Sequence, residues 1–141
     1  MNLYLESSAA LRDLLEGYRC GEIRRLLVDA EVVATSRCTL AEVGRVFARL
    51  RALEPQAAAA AAAREARFQS DSELWVVQPV DEAIWLRCSR PFPVEPLRTE
   101  DAIHLATIER LSGALERIVV LSTDGRVRAN AQALGFAIAP A

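Results

Sequence analysis

The chain has 141 residues, of which 52% are hydrophobic and 26% charged, and its net charge is −2 at pH 7. These values predict one globular domain over residues 1–141 that buries a real core, and they argue against a protein that coats nucleic acid by bulk positive charge. We expect no membrane span, because no apolar run approaches about 20 residues, and no secretory signal, because the first residues lack a basic segment.

Two residue types constrain the chemistry and the compartment. All 17 cationic residues are arginine, which GC-rich coding favours but which also suits two-point contacts with phosphate. A slightly acidic nuclease with arginines around its site therefore remains open. Cys20, Cys38 and Cys88 are odd in number and lack Cys-x-x-Cys spacing. We expect them to be reduced, half-buried thiols in a cytoplasmic protein.

Strand and helix signals alternate through the first half of the chain. Apolar runs indicate the strands. Apolar residues at helical spacing that follow a capping side chain indicate the helices, and the predicted cap of the first helix is Ser7 or Ser8. The alanine-rich run 57–63 predicts a helix because of its high helix propensity, and with the preceding helix it forms an αα-hairpin. The predicted elements are a strand at 2–5, helices at 9–16 and 22–30, a strand at 31–35, a helix opening at 39–42 and interrupted by Pro55, and a helix that includes 57–63.

The second half of the chain continues this alternation. Thr99 is the predicted N-cap of a helix with Glu100 and Asp101 in its first turn, near the positive end of the helix dipole. Continuously apolar strands that alternate with helices predict an α/β fold with a doubly wound, mainly parallel sheet flanked by helices. The remaining predicted elements are a strand at 74–78, a helix at 81–88, a proline-rich loop at 91–96, a strand at 118–121, a helix at 126–134 and a strand at 136–139.

Four acidic residues fall at equivalent places in this predicted sheet. Glu6 follows the first strand, Glu42 and Asp101 lie in the first turns of helices, and Asp124 follows the strand at 118–121. The carboxyl ends of parallel strands form the edge where ligands bind. Carboxylates gathered there repel one another unless a cation neutralises them, and all-oxygen ligation selects Mg²⁺ or Mn²⁺ over zinc. The four acids together therefore predict a metal site.

Each acid also has a local interpretation, and the pattern alone leaves both open. Thr39-x-x-Glu42 is a formal capping box. Asp101 can steady the first turn of its helix, and Asp124 can cap the helix that follows it. Glu6 can be an ordinary loop acid. The metal site depends on all four acids lying at one edge, and therefore on the strand assignments.

Several other polar and aromatic residues are interpreted as structural. His104 is the only histidine, and we interpret it as a hydrogen-bonded structural side chain rather than a general base. Arg126 and Arg128 fit a solvated helix face. Trp75 and Trp85 fit core positions better than a platform for base stacking. The sequence contains no Gly-rich phosphate loop, no Ser/His/Asp arrangement and no metal-binding Cys/His motif.

Motifs around the four acids occur in a fixed order along the chain: Tyr4-Leu5-Glu6-Ser7-Ser8-Ala9, Thr35-Ser36 followed by Thr39-x-x-Glu42-Val43, Arg98-Thr99-Glu100-Asp101-Ala102-Ile103-His104-Leu105-Ala106, and Ser122-Thr123-Asp124-Gly125-Arg126. Through these motifs the chain resembles the PIN domain of the VapC toxin type over its whole length. The resemblance implies a Mg²⁺- or Mn²⁺-dependent endoribonuclease of a type II toxin–antitoxin system, usually a homodimer and inhibited by a cognate antitoxin.

Carried over residue by residue, the resemblance implies metal-binding and catalytic roles for Glu42, Asp101 and Asp124. The first motif departs from the family, which usually has Asp where this chain has Glu6. The expected site has two groups of residues. They are the metal-binding and catalytic acids Glu6, Glu42, Asp101 and Asp124, and the supporting residues Ser8 and Ser122.

The sequence as a whole indicates a toxin-type endoribonuclease that hydrolyses RNA phosphodiester bonds with Mg²⁺ or Mn²⁺. The alternative is a PIN-like module that binds RNA or a protein partner but cleaves poorly because Glu6 disturbs the site. A third interpretation is a regulatory domain that binds Mg²⁺. In such a domain Asp124 would be the phosphoacceptor, but this chain has no lysine to serve as its usual partner. An inhibitor that inserts Arg or Lys among the acids should compete with the metal. We expect a partner or a second copy to cover the helical surface at 50–63.

Overall fold

A computed structural model of the chain describes residues 1–17 and 21–141. Its five strands form one sheet in which every neighbouring pair is parallel. The strands are β1 (Asn2–Leu5), β2 (Val32–Ser36), β3 (Val76–Gln78), β4 (Ile118–Leu121) and β5 (Ala137–Ala139). The sheet order β3-β2-β1-β4-β5 places β1 at the centre, with β2 and β3 added on one side and β4 and β5 on the other. The predicted doubly wound α/β fold is confirmed.

Helices cover both faces of the sheet. Leu3 and Leu5 of β1 pack with apolar residues of the first four helices, while Tyr4 packs with those of the last three. All three of these β1 side chains are fully buried, as expected for a central parallel strand. The helices are α1 (Ser7–Glu16), α2 (Gly21–Asp29), α3 (Arg37–Leu53), α4 (Ala58–Ser72), α5 (Glu82–Cys88), α6 (Thr99–Leu111) and α7 (Gly125–Ala133).

Two features of the helices are the α3–α4 hairpin and the burial of α6. Helices α3 and α4 are joined by a single 3₁₀ turn at Pro55–Ala57, which gives the predicted αα-hairpin. Helix α6 is buried on all sides from Asp101 to Ile108 rather than along one stripe. A helix enclosed in this way holds its polar side chains rigidly, because any movement would disturb close packing.

Three predicted N-caps, those of α1, α3 and α6, are wrong by one to three residues. Helix α1 is capped by Glu6 rather than by Ser7 or Ser8, since the Glu6 carboxylate accepts a hydrogen bond from the Ser8 amide at 3.0 Å. The N-cap of α6 is Arg98 instead of Thr99. The Asp101 carboxylate accepts a long 3.4 Å hydrogen bond from the Arg98 amide.

The start of α3 changes the interpretation of Glu42. Ser36 caps this helix by accepting a 3.0 Å hydrogen bond from the Cys38 amide, so the helix begins two residues before Thr39. Thr39 therefore lies inside the helix, and Glu42 lies in its second turn. The proposed Thr39–Glu42 capping box is wrong, which leaves the Glu42 carboxylate free for other contacts.

The predicted core position of Trp85 on α5 is also wrong. Trp85 is 47% exposed, and Ala83 and Leu86 on the same helix are exposed too, because α5 turns Ile84 and Cys88 to the core. Trp75 does pack inward, with its ring 5.4 Å from that of Phe68.

The two cysteines that the structure describes agree with the predicted thiols. Cys38 and Cys88 are free and half-buried, whereas the prediction for Cys20 lies outside the described residues. Within residues 1–17 and 21–141, no helix has the length and apolar character needed to cross a membrane.

Candidate active site

The parallel register brings the ends of the three central strands together. Leu5 at the end of β1 lies beside Thr35 of β2 on one side and Leu121 of β4 on the other. The residues that follow these strands therefore emerge at one edge of the sheet. All four acids predicted from the sequence, Glu6, Glu42, Asp101 and Asp124, contribute to this edge, and we call the set the acidic edge.

Glu6 is buried at the junction of β1 and β4, with an exposed fraction of 5%. Its Oε2 accepts a 2.7 Å hydrogen bond from the Ser122 hydroxyl and a further bond from the Ser8 hydroxyl. Ser8 Oγ in turn accepts hydrogen bonds from the amides of Thr123 at 2.9 Å and Asp124 at 3.1 Å. The two supporting serines predicted from the sequence thus hold Glu6 and fix the turn that carries Asp124.

Glu42 is half-buried, and its Oε1 collects three donors. The Ser7 hydroxyl lies at 2.8 Å, His104 Nε2 at 2.8 Å and Cys38 Sγ at 3.2 Å. Burial disfavours the charged carboxylate, but hydrogen bonds and charge from His104, then Ser7, outweigh it and keep the pKa of Glu42 below its usual range. Glu42 therefore keeps its negative charge even in mildly acidic solution.

His104 lies beneath Glu42 and is almost completely buried, with 1% of its surface exposed. Its Nδ1 is 2.8 Å from the Tyr4 hydroxyl, and its Nε2 also lies 3.0 Å from Ser7 Oγ. Burial, and then the charge of Glu6, raises the pKa of Tyr4 well above its usual value, so the phenol keeps its proton. Tyr4 can then donate to Nδ1, which leaves the Nε2 proton for Glu42. His104 thereby fixes the orientation of the Glu42 carboxylate.

The sequence contains a signal for the positioning role of His104 that the interpretation of this residue as purely structural did not use. His104 stands three residues after Asp101 on the same helix, and residues at that spacing lie on one helix face. The contact with Glu42 joins residues 62 positions apart. Only the tertiary structure brings them together. Ser7, whose hydroxyl contacts both His104 and Glu42, was also missed as a site residue.

Asp101 and Asp124 share one cation, the guanidinium of Arg98. Arg98 Nη2 lies 3.2 Å from Asp101 Oδ1 and 3.5 Å from Asp124 Oδ2, and Arg98 Nε lies 3.2 Å from Asp101 Oδ2. Asp101 is only 3% exposed, whereas the Arg98 side chain is 54% exposed. The guanidinium therefore covers the two aspartates from the solvent side.

The predicted capping role of Asp124 accounts for one of its two oxygens. Oδ1 accepts hydrogen bonds from the amides of Arg126 at 2.8 Å and Val127 at 3.1 Å, which fixes the start of α7. Oδ2 points instead toward Arg98. The local and the functional interpretations are therefore compatible, since each uses a different oxygen.

The acidic edge is connected from end to end through side chains between its members. His104 Nε2 lies 2.8 Å from the carboxylate of Glu42 and 3.9 Å from that of Glu6. Ser8 connects Glu6 to the Asp124 turn, and Arg98 connects the two aspartates. All four predicted acids are thus brought together, although they come from separate parts of the chain.

The donor set fits a hard divalent cation. Arg98 pairs with two of the acids, so this place accommodates a positively charged group. Within the described residues, all hydrogen bonds to the Glu42 carboxylate are accepted by Oε1, and Asp124 Oδ2 contacts only the Arg98 guanidinium. The Glu42 carboxylate and Asp124 Oδ2 can therefore turn to an ion without breaking a helix cap. Carboxylate oxygens are the ligands that Mg²⁺ and Mn²⁺ prefer.

Comparisons with known proteins support this architecture. The sequence matches the PIN domain family over residues 3–133. The fold is also similar to VapC20 from Mycobacterium tuberculosis, described as a toxin that cleaves the sarcin–ricin loop. The TM-score is 0.62 and the identity 21%, over 95% of both chains.

Two further solved structures show the same likeness. VapBC2 from Rickettsia felis, bound to a DNA fragment from its promoter, has a TM-score of 0.62 and 8% identity over 99% of this chain and 98% of that one. A toxin–antitoxin complex from Klebsiella pneumoniae has a TM-score of 0.62 and 17% identity over 99% of this chain and 97% of that one. Identities this low establish the fold only. A search among curated proteins gave no match.

Proposed function

The chain belongs to the PIN domain family, and from this membership we propose that it is a metal-dependent endoribonuclease and the toxin of a toxin–antitoxin pair. The observation that carries the proposal is the acidic edge, where four carboxylates lie near the carboxyl ends of parallel strands and are linked through Ser8, His104 and Arg98. Two of them share a guanidinium, as expected where the protein needs a cation. Structures of similar fold described as a toxin and as a toxin–antitoxin complex support the assignment.

The proposed site uses Glu6, Glu42, Asp101 and Asp124 to hold Mg²⁺ or Mn²⁺. Such an ion, when bound, makes a water a stronger nucleophile and stabilises charge on phosphate oxygens. The protein's own contribution is orientation: His104 holds Glu42 in place and charged, while the serines hold Glu6. Arg98, at the exposed rim, is placed to contact a phosphate group of RNA once it leaves the aspartates.

Glu6 has a distinct role within this proposal. Its two oxygens already accept hydrogen bonds from the Ser8 amide, the Ser8 hydroxyl and the Ser122 hydroxyl. We propose that Glu6 contributes charge but contacts the metal through a water, since Mg²⁺ accepts only near-ideal ligand positions. Mn²⁺ should therefore support activity better than Mg²⁺.

Glu6→Asp should tighten Mn²⁺ binding by about fivefold and raise cleavage, because a shorter side chain has one torsion fewer to order, worth up to about 1 kcal/mol. Aspartate is also a good N-cap, so α1 should persist. Glu6→Gln should weaken both binding and cleavage, since it removes the charge. Titration calorimetry with Mn²⁺ and an RNA cleavage assay measure the two effects. Lower activity of Glu6→Asp at saturating metal would mean that the site is built around the longer side chain.

Arg98→Gln should lower the Mn²⁺ dissociation constant by about fivefold, because the ion then no longer competes with a guanidinium held by partly exposed contacts worth about 1 kcal/mol. Arg110→Gln is the matched control. Its side chain is also 54% exposed, and its Asp81 partner lies outside the acidic edge. Mn²⁺ affinity should not change in the control. Equal affinities in both variants would exclude competition between Arg98 and the metal.

The function itself is tested with the purified full chain and a structured RNA. We expect cleavage with Mn²⁺ and none with a chelator. RNA binding without cleavage would favour the alternative, a PIN-like module in which Glu6 disturbs the site. A chain that neither cleaves nor binds RNA would exclude both the nuclease and the RNA-binding module.

We also propose a homodimer and a cytoplasmic antitoxin partner. Most residues of the helical surface at 50–63 are exposed, and Leu53 on it is 67% exposed. An antitoxin that inserts an arginine among the acids would occupy the place that Arg98 takes here. Light scattering at micromolar concentration should give a dimer, and a strictly monomeric species without a co-purifying partner would contradict both proposals.

A further inference from the structure

A thiol, an imidazole and a carboxylate meet at one end of the acidic edge. Cys38, Glu42 and His104 each offer one ligand atom, and these three atoms lie within 4.8 Å of one another. We call them the Cys38 cluster. The proposed nuclease mechanism gives no role to Cys38. Sulfur, nitrogen and oxygen donors together suit Zn²⁺, whereas the acidic edge suits harder cations.

The geometry of the Cys38 cluster is set by two rigid helices. Cys38 and Glu42 stand one turn apart on α3 and therefore share a helix face, while His104 reaches them from α6. Glu42 Oε1 lies 3.2 Å from Cys38 Sγ and 2.8 Å from His104 Nε2. Ligand atoms around one tetrahedral Zn²⁺ are roughly 3.3–3.7 Å apart, given its bond lengths. A small outward turn of the Glu42 side chain therefore admits the ion.

Tyr4 completes this arrangement from the interior. Zinc-binding histidines usually hydrogen-bond an oxygen through the nitrogen that does not bind the metal, and this bond fixes the ring. His104 Nδ1 lies 2.8 Å from the hydroxyl of Tyr4, which is completely buried. With Nε2 bound to the metal, the ring proton resides on Nδ1 and is donated to Tyr4. Cys38 gives up its thiol proton to solvent when its sulfur binds the metal.

We propose that the Cys38 cluster is an inhibitory zinc site. Three protein ligands leave one position for water, and access is from the solvent side, where the Glu42 side chain is 32% exposed. Glu42 belongs to both sites and cannot serve both ions in one orientation. Zinc binding therefore removes a carboxylate from the acidic edge. The inhibitory effect rests on the proposed nuclease function, whereas zinc binding itself does not.

Cobalt titration of the full chain tests the binding site directly. Co²⁺ replaces Zn²⁺ in such sites, and we expect one equivalent to produce a thiolate-to-cobalt charge-transfer band that Zn²⁺ abolishes. Cys38→Ser should remove this band and weaken Zn²⁺ binding at least about tenfold. Its hydroxyl can still donate to Glu42, so the fold should be kept. Cys20→Ser and Cys88→Ser are the matched controls and should keep the band. Absence of the band in the wild type, or its survival in Cys38→Ser, would overturn the site.

A cleavage assay tests the inhibition separately. With Mn²⁺ saturating, micromolar Zn²⁺ should inhibit the wild type reversibly and lose most of its effect on Cys38→Ser. Equal inhibition of both proteins would overturn the inhibitory role. A protein that never cleaves RNA but gives the cobalt band would refute the nuclease proposal and leave the zinc site standing.

Discussion

Asp101→Asn should abolish Mn²⁺-dependent RNA cleavage while leaving the fold intact. The substitution keeps the side-chain volume but removes the charge from the most enclosed acid of the proposed site, which is 3% exposed. Loss of a residue that merely supports a metal ligand typically costs 10–100-fold, so loss of a ligand should lower the rate by about 100-fold or more. Titration calorimetry should show a parallel loss of Mn²⁺ affinity.

The fold should tolerate this change because Asp101 has one main charged partner. Arg98 is more than half exposed, and ion pairs with such partners contribute about 1 kcal/mol or less. Glu100→Gln is the matched control, since it removes the neighbouring charge about 100° away around the same helix. It should cleave RNA at nearly the wild-type rate. Undiminished cleavage by purified Asp101→Asn would refute the metal-nuclease proposal.

His104→Ala should lower the free energy of unfolding by about 2–4 kcal/mol, because it opens a cavity and leaves buried polar groups without a partner. It should also slow cleavage by about 10–100-fold at saturating metal, since Glu42 is no longer held in one orientation. Denaturant unfolding measures the first effect. Cleavage rates, measured well below the unfolding temperature of each variant, measure the second.

Tyr4→Phe separates the stability effect from the positioning effect. It removes only the hydroxyl that meets His104 Nδ1 and leaves the Nε2 contact with Glu42 in place. We expect a destabilisation of about 1 kcal/mol and a much smaller loss of cleavage. If folded His104→Ala cleaved RNA as fast as the wild type, His104 would have no role in positioning Glu42.

The fold and the gathering of the four acids at one edge of the sheet could be predicted because both depend on local patterns. Apolar runs of strand length, separated by helical periodicity, identify a parallel sheet, and an acid placed just after a strand or in an early helical turn must lie near its carboxyl edge. Glu6 and Asp124 follow their strands in this way. The prediction thus needed only the order of elements, which survives errors of one or two residues at their ends.

The contacts within the site could not be predicted because they join distant residues. Tyr4 and His104 are 100 positions apart, and nothing in the local sequence indicates their hydrogen bond. The cap assignments failed for a different reason. Adjacent polar residues compete for the same backbone amides, and the Glu6 carboxylate reached the Ser8 amide where a serine cap was expected. The placement of Arg98 depends on the conformation of a long side chain, which periodicity does not encode.

The central position of β1 has a consequence for the timing of synthesis. Glu6 must meet Ser122, which lies 116 positions later, and β1 cannot complete its pairing until β4 has been made. At about 5–20 residues per second, a ribosome needs roughly 4–16 seconds to travel from Glu42 to Asp124. During that interval the nascent chain carries Glu6 and Glu42. It lacks Asp124 throughout and Asp101 until that residue has been added. The proposed nuclease is therefore inert while it is being translated, and an inhibitory partner already present in the cell has those seconds to encounter the chain before it can cut RNA.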